Sequence, residues 1–157
     1  MNITNDTFTN RSKILLGFFD IVAVGSPVDG AYFEISTNST DVVVAAATAN
    51  NSVYNYTANF SLATKQPDVG KGGVYLNYRL NLSPNADAVT YAIYNDSNVL
   101  LWNATLQRTA TAGVPVINGR ETGAGVFMYR FTAGTVKNIG RIDYMVAEIP
   151  SLGRPFG

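Results

Sequence analysis

Cysteine and histidine are both missing from the 157 residues. Without cysteine there is no disulfide framework, which argues against a small secreted scaffold built on cross-links. Without histidine the chain loses the usual general base near neutral pH, the commonest metal ligand and the physiological pH switch. Ser-His-Asp and Cys-His machinery is therefore impossible, and zinc and iron sites in their common forms lose their ligands. The expectation is a protein without cofactor or resident metal that is not an enzyme.

Charge is also scarce. Only 14% of residues are charged, 11 basic against 11 acidic, where about 25% is usual. No long-range field exists to steer nucleic acid or an anionic membrane, so neither is an expected partner. Like-charge repulsion between copies is small too, and a polar but nearly uncharged surface associates readily. Long apolar runs are missing as well. Arg11-Ser12-Lys13 followed by Ile14–Phe19 faintly resembles the start of a signal peptide, but Asp6 and Asp20 interrupt the pattern. The run falls far short of the roughly 20 residues that cross a bilayer. It reads as a buried strand or short helix, and the expected protein is made in the cytoplasm of a host cell without a signal peptide.

What the chain does have is alternation. In Val74–Leu82 the even positions are Val, Leu, Tyr, Leu and Leu, and the odd ones Tyr, Asn, Arg and Asn. That period of two indicates a strand with one face on a core and one in water. Gly72-Gly73 opens it and Ser83–Asp87 closes it with turn residues. Ala31–Ser36 alternates with Ala31, Phe33 and Ile35 inward, and Asp41–Thr48 is a small-residue β run. Ile14–Val24 is apolar on both faces apart from Asp20, as a strand covered on both sides would be, with a bulge expected at Gly17. Val53–Leu62 reads as one strand with Tyr54, Tyr56, Ala58, Phe60 and Leu62 on a common face. Ala88–Tyr94 and Val99–Leu106 form a hairpin across Asn95–Asn98, with Leu100, Trp102, Ala104 and Leu106 inward. Pro115 marks 111–118 as an edge strand. Phe127, Tyr129 and Phe131 share a face of 126–133, and Ile142, Tyr144 and Val146 share one of 139–149.

About ten strands at regular spacing, with little or no helix and none that is long, predict an all-β fold: an antiparallel β-sandwich, jelly-roll-like in type. One domain is expected over residues 13–150, preceded by an N-terminal arm (1–12) and followed by a C-terminal tail (151–157).

Individual motifs carry little chemistry. Gly70-Lys71-Gly72-Gly73 lacks the spacing of a phosphate loop, and Gly123-Ala124-Gly125 lacks the third glycine of a dinucleotide fingerprint. Asp20 and Glu34 interrupt apolar strands and are the one carboxylate pair to test against glycosidase geometry. Asp29, Asp96 and Asn98 could contribute to surface calcium, although no run matches an EF-hand loop. The many Asn-x-Ser/Thr triplets follow from high Asn and Thr content.

The functional expectation therefore comes from edges. Strands rich in Val, Tyr and Thr pair with other copies unless charge blocks them. Lysine occurs only at 13, 65, 71 and 137. This composition points to a viral structural protein: a capsid decoration (cement) protein or a tail or neck subunit of a tailed bacteriophage, resident in the virion. Its partners would be further copies of itself or other virion proteins such as the capsid protein. Candidate contacts are Asn5, Thr7 and Phe8 in the arm, Lys65, Pro67, Asp68 and Lys71 in the unpatterned loop 63–73, and Pro155 and Phe156 in the tail. A carbohydrate-binding module, with Tyr75, Tyr94 or Trp102 stacking on sugar rings, is one alternative. A fibre or adhesin subunit is another. Tyr32 joins Tyr75 and Tyr94 as a ring expected on an outward or ambiguous face.

Overall fold

The computed structural model describes residues 2–5, 12–20, 27–37, 41–65, 75–83, 87–108, 123–130 and 138–141. These form eleven strands and one short 3-10 turn, Leu62–Thr64. The strands are β1 (Asn2–Asn5), β2 (Ser12–Phe19), β3 (Gly30–Thr37), β4 (Val42–Asn50), β5 (Val53–Tyr56), β6 (Phe60–Ser61), β7 (Asn77–Leu82), β8 (Ala88–Tyr94), β9 (Leu100–Gln107), β10 (Gly123–Arg130) and β11 (Asn138–Arg141). Every pairing is antiparallel. The fold is all-β.

A large sheet has the order β10-β2-β3-β4-β5, with β6 also paired to β4, and a small sheet has the order β7-β8-β9. Strands β2 to β5 follow one another as hairpins, and β10 returns to lie beside β2. A third, two-stranded unit pairs β1 with β11. Asn2–Asn5, at the start of the expected N-terminal arm, is thus a strand.

The two larger sheets pack face to face over one core. The large sheet contributes Ile14, Ala31, Phe33, Ile35, Val42, Val44 and Ala46, and the small sheet Val89, Tyr91, Ile93 and Leu106. Phe33 sits at its centre. Its ring meets those of Tyr78 and Tyr91 edge-on, both at 5.2 Å between centroids, the geometry aromatic quadrupoles favour. Tyr91 also crosses between the sheets, its hydroxyl donating to the Ala47 carbonyl at 2.7 Å.

The large sheet is buried on its other face too. Leu15, Tyr32, Ala47 and Ala49 are fully covered there, with Phe19, Tyr54 and Phe127 packed against them. Burial on both faces explains why β2 and β4 read as nearly continuous apolar runs. It also corrects the outward placement of Tyr32, which has no exposed surface. Tyr32 meets Phe19 edge-on at 6.2 Å, and its hydroxyl lies 3.5 Å from that of Tyr56.

Gly17 is not a bulge. The registers of β2 with β3 and with β10 run through it unbroken. Glycine is needed because a Cβ there would lie 2.4 Å from the Ala31 carbonyl oxygen and 2.7 Å from Tyr32 Cα, on a backbone at φ +155°.

Two real irregularities correct the expected faces. Tyr56 lies opposite Ala47, but Phe60 lies opposite Val44. Four steps on one strand therefore match three on the other, an inserted residue that reverses the face. Tyr54 and Tyr56 accordingly share the outer face with Ala47 and Ala49, and Phe60 and Leu62 turn to the inter-sheet core. The single strand expected over 53–62 is two short ones. The second irregularity falls between Ile93 and Tyr94, where Ile93 pairs with Trp102 and Tyr94 with Leu100. The extra residue, Leu101, packs on the core while Leu100 turns outward and is exposed, against expectation. Leu82, at the end of β7, is also exposed. The expected strand over 111–118 and the inward residues of 142–149 lie outside the described residues.

One turn has no counterpart in the sequence expectations. Asn51 and Ser52 both take positive φ (52° and 63°) between Asn50 and Val53, which pair, the geometry of a two-residue hairpin. Buried Asp29 holds it, its carboxylate accepting the Asn51 N–H at 2.8 Å, while the Ser52 N–H donates to the Val28 carbonyl.

Gly17→Ala should destabilise by about 3–5 kcal/mol in urea unfolding, because backbone atoms rather than a flexible side chain must move. Of two core hydroxyls, that of Tyr78 is buried without a hydrogen-bond partner, whereas that of Tyr91 is bonded. Tyr78→Phe should be neutral or stabilising by up to about 1 kcal/mol, and Tyr91→Phe destabilising by about 1–2 kcal/mol. Burial pushes the hydroxyls of Tyr32, Tyr78 and Tyr91 well above the ordinary 10.0, the Tyr56 hydrogen bond adding to the effect at Tyr32. The native state then keeps protons that the unfolded chain releases, so stability is intact below pH 10 and falls as pH rises beyond it. The loss is about 1.4 kcal/mol per pH unit for each tyrosine. Absorbance at the phenolate band should show these three ionising only together with unfolding.

Candidate functional site

The small sheet supplies the surface with the clearest functional character. Its inner positions, Tyr78, Leu80, Val89, Tyr91, Ile93, Trp102 and Leu106, pack on the core. Alternation puts Arg79, Asn81, Thr90, Ala92, Asn103 and Thr105 on the outer face. A tight turn closes β8 to β9. The Asn95 side-chain oxygen accepts the N–H groups of Ser97 (3.0 Å) and Val99 (2.8 Å), and Asn98 takes φ 59°. Asparagine suits both roles, since its amide mimics a backbone turn and its backbone tolerates left-handed φ. At this end of the sheet Tyr75, Val99 and Leu100 are exposed. The Arg79 guanidinium lies 4.4 Å above the Tyr94 ring and donates to the Asn98 side-chain oxygen at 3.1 Å, a stacked cation locked in place by a hydrogen bond.

The three rings considered for sugar stacking do not form one platform. Trp102 points inward and stacks on Phe60 at 5.9 Å and 21°. One side of Tyr94 carries the Arg79 guanidinium. Tyr75 is the exposed ring of the three.

The carboxylates are separated by the same geometry. Glu34 lies opposite Leu15 on β2, and Asp20 is five residues further along, roughly 17 Å away at strand rise. Glycosidase pairs stand about 5–9.5 Å apart, so these two do not make one. Glu34 instead takes the Lys13 ammonium at 2.6 Å, both half-buried, and Asp20 accepts the Val28 N–H at 3.0 Å. Asp29 holds the Asn51 turn, the Asp96 carboxylate accepts from the Ser97 hydroxyl, and Asn98 serves Arg79. Among the described residues no group of three or more acidic side chains is placed to hold a metal.

Of the expected intersubunit contacts, Asn5 pairs within the chain with Asn138, and Lys65 is exposed at the end of the 3-10 turn. Thr7, Phe8, Pro67, Asp68, Lys71, Pro155 and Phe156 lie outside the described residues.

The edges differ in how they are guarded. β5 and β6 are short and interrupted by the inserted residue, a standard protection against edge pairing. β7 carries Arg79 at its middle. β9 is eight residues long, Leu-Leu-Trp-Asn-Ala-Thr-Leu-Gln, without a charge, proline or glycine, and it ends the order β7-β8-β9. Its irregularity lies at its first residues, so Trp102–Gln107 runs in regular register.

Residues 2–143 match the family model described as SO2946-like, C-terminal domain. The chain belongs to this family. The match runs from β1 through β11 and so takes in both packed sheets and the β1–β11 pair. The SO2946-like description names a domain and no chemistry. No curated protein and no solved structure matches the chain.

Proposed function

We propose that this SO2946-like domain is a non-enzymatic structural subunit of a virus particle, a capsid decoration protein or a tail or neck subunit of a tailed phage, that works through contacts between subunits. One observation carries the reading: β9, a long sheet-edge strand without a single charge, on a chain whose charged residues amount to only 14%. A free-living monomer would ordinarily guard such an edge with lysine, proline or a bulge along its length. Assembly removes that need, because a neighbouring subunit covers the strand. The absence of histidine and cysteine agrees with a role in which packing rather than chemistry is the product.

A fibre or adhesin subunit would use the same edge, and symmetry separates the two. Closed point-group contacts make rings and caps, whereas head-to-tail contacts that fail to close make filaments.

Density-gradient purification of particles from the source, followed by quantitative mass spectrometry and negative-stain imaging, tests the proposal. The expected result is co-migration with particles at a fixed copy number. Recovery solely in the soluble fractions, with no copies on any particle, would contradict it, and filaments of the chain alone would transfer the assignment to the fibre reading.

A further inference from the structure

We infer that β9 is the contact by which two copies of this chain join, pairing antiparallel with β9 of the second copy about a two-fold axis at Ala104, so that two three-stranded sheets become one of six strands. The inference deepens the assembly reading and rests on it for its biological setting, but its geometry comes from the ladder itself.

The Arg108 N–H donates to the Asp87 carbonyl at 2.7 Å, continuing the register in which Ala88 faces Gln107. In an antiparallel ladder, pairs that exchange hydrogen bonds alternate with pairs that do not. Counting from Asp87–Arg108, the bonded pairs are Val89–Leu106, Tyr91–Ala104 and Ile93–Trp102. The backbone groups of Trp102, Ala104 and Leu106 therefore point to β8. Those of Asn103, Thr105 and Gln107 point to the outer edge, and the three residues are exposed. Among the described residues no strand pairs with that edge.

Directly opposed residues in an antiparallel pair share a face, which limits the registers that join β9 to itself. An axis at Ala104 sets Trp102 opposite Leu106 of the second copy, both on the apolar inner face, and Asn103 opposite Thr105 on the polar outer face. It uses only Trp102–Leu106, the regular part of the strand. An axis at Asn103 instead opposes Trp102 to a small alanine and draws in Leu101, the inserted residue that turns inward, against Thr105. The Ala104 register leaves Asn103 and Thr105 exchanging both of their outward hydrogen bonds with the second copy, and no like charges meet.

Sedimentation velocity of the purified chain at concentrations on the order of 100 µM, where even a weak interface associates, reads the contact. The wild type should sediment as a dimer. Thr105→Pro removes an outward N–H that no bond among the described residues uses, and Thr105→Lys places a charge on the edge while keeping the backbone intact. Both should weaken dimerisation at least about tenfold, with far-UV circular dichroism unchanged for the lysine variant, while Thr90→Lys on the central strand leaves the dimer unaltered. Because the chain has no cysteine, Ala104→Cys introduces a unique thiol, and the axis brings its Cα within about 4.5 Å of its mate, inside disulfide range. Oxidation should give a covalent dimer. A monomer at this concentration, a dimer indifferent to both Thr105 variants, or failure of Ala104→Cys to cross-link would overturn the inference. A monomer that still co-purifies with particles would assign the edge to a different virion protein and leave the structural role standing. A dimer absent from particles would do the reverse.

Discussion

In a pleated strand one count governs two things at once: the face on which a side chain stands and the direction in which its N–H and C=O point. Most of this structure depends on that coupling. In the large sheet it sends Phe33 and Ile35 to the inter-sheet core and Tyr32 to the opposite face. In the small sheet it sends Trp102, Ala104 and Leu106 inward with their backbone bonds on β8, and leaves the bonds of Asn103 and Thr105 directed away from β8. A single inserted residue resets the count. The insertion between β5 and β6 turns Phe60 to the opposite face from Tyr56, and the one at Leu101 exposes Leu100.

The large sheet is covered on both faces, and this fixes where the molecule can offer contacts. Its central strands β3 and β4 have both backbone edges occupied and both faces buried, and the β3 backbone at Ala31 and Tyr32 lies so close to β2 that only glycine fits at position 17. The small sheet has one buried face, one wet face and a terminal strand that nothing described covers. Close packing on one side and, among the described residues, an uncovered edge on the other are the two features on which the proposed subunit role rests. Asp29, Asp20 and Glu34 are engaged in holding turns and in an ion pair.

The fold class was legible in the sequence because alternation survives wherever a strand is regular. Ala31, Phe33 and Ile35 stand inward as their period of two requires, and the Asn95–Asn98 turn joins the hairpin it was expected to join. The faces of Phe60 and Leu100 were not legible, since a bulge leaves no composition signal and changes parity silently. A glycine such as Gly17 marks a close backbone approach as readily as a bulge, so its role needs the register. The burial of Tyr32 in a second core cannot be inferred from a tyrosine standing between apolar neighbours. For the candidate surface, the scarcity of charge was legible. That a long uncharged strand, β9, ends its sheet, and that Arg79 occupies Tyr94, required the strand order and register.

Amide hydrogen exchange along β9, followed residue by residue at low and high protein concentration, tests the central claim most directly. In dilute solution the Trp102, Ala104 and Leu106 amides should exchange slowly and those of Asn103 and Thr105 quickly. At high concentration, or on an assembled particle, the Asn103 and Thr105 amides should become protected as well. Slow exchange at Asn103 and Thr105 in dilute monomer would contradict the account, because the chain would then be covering this edge by itself.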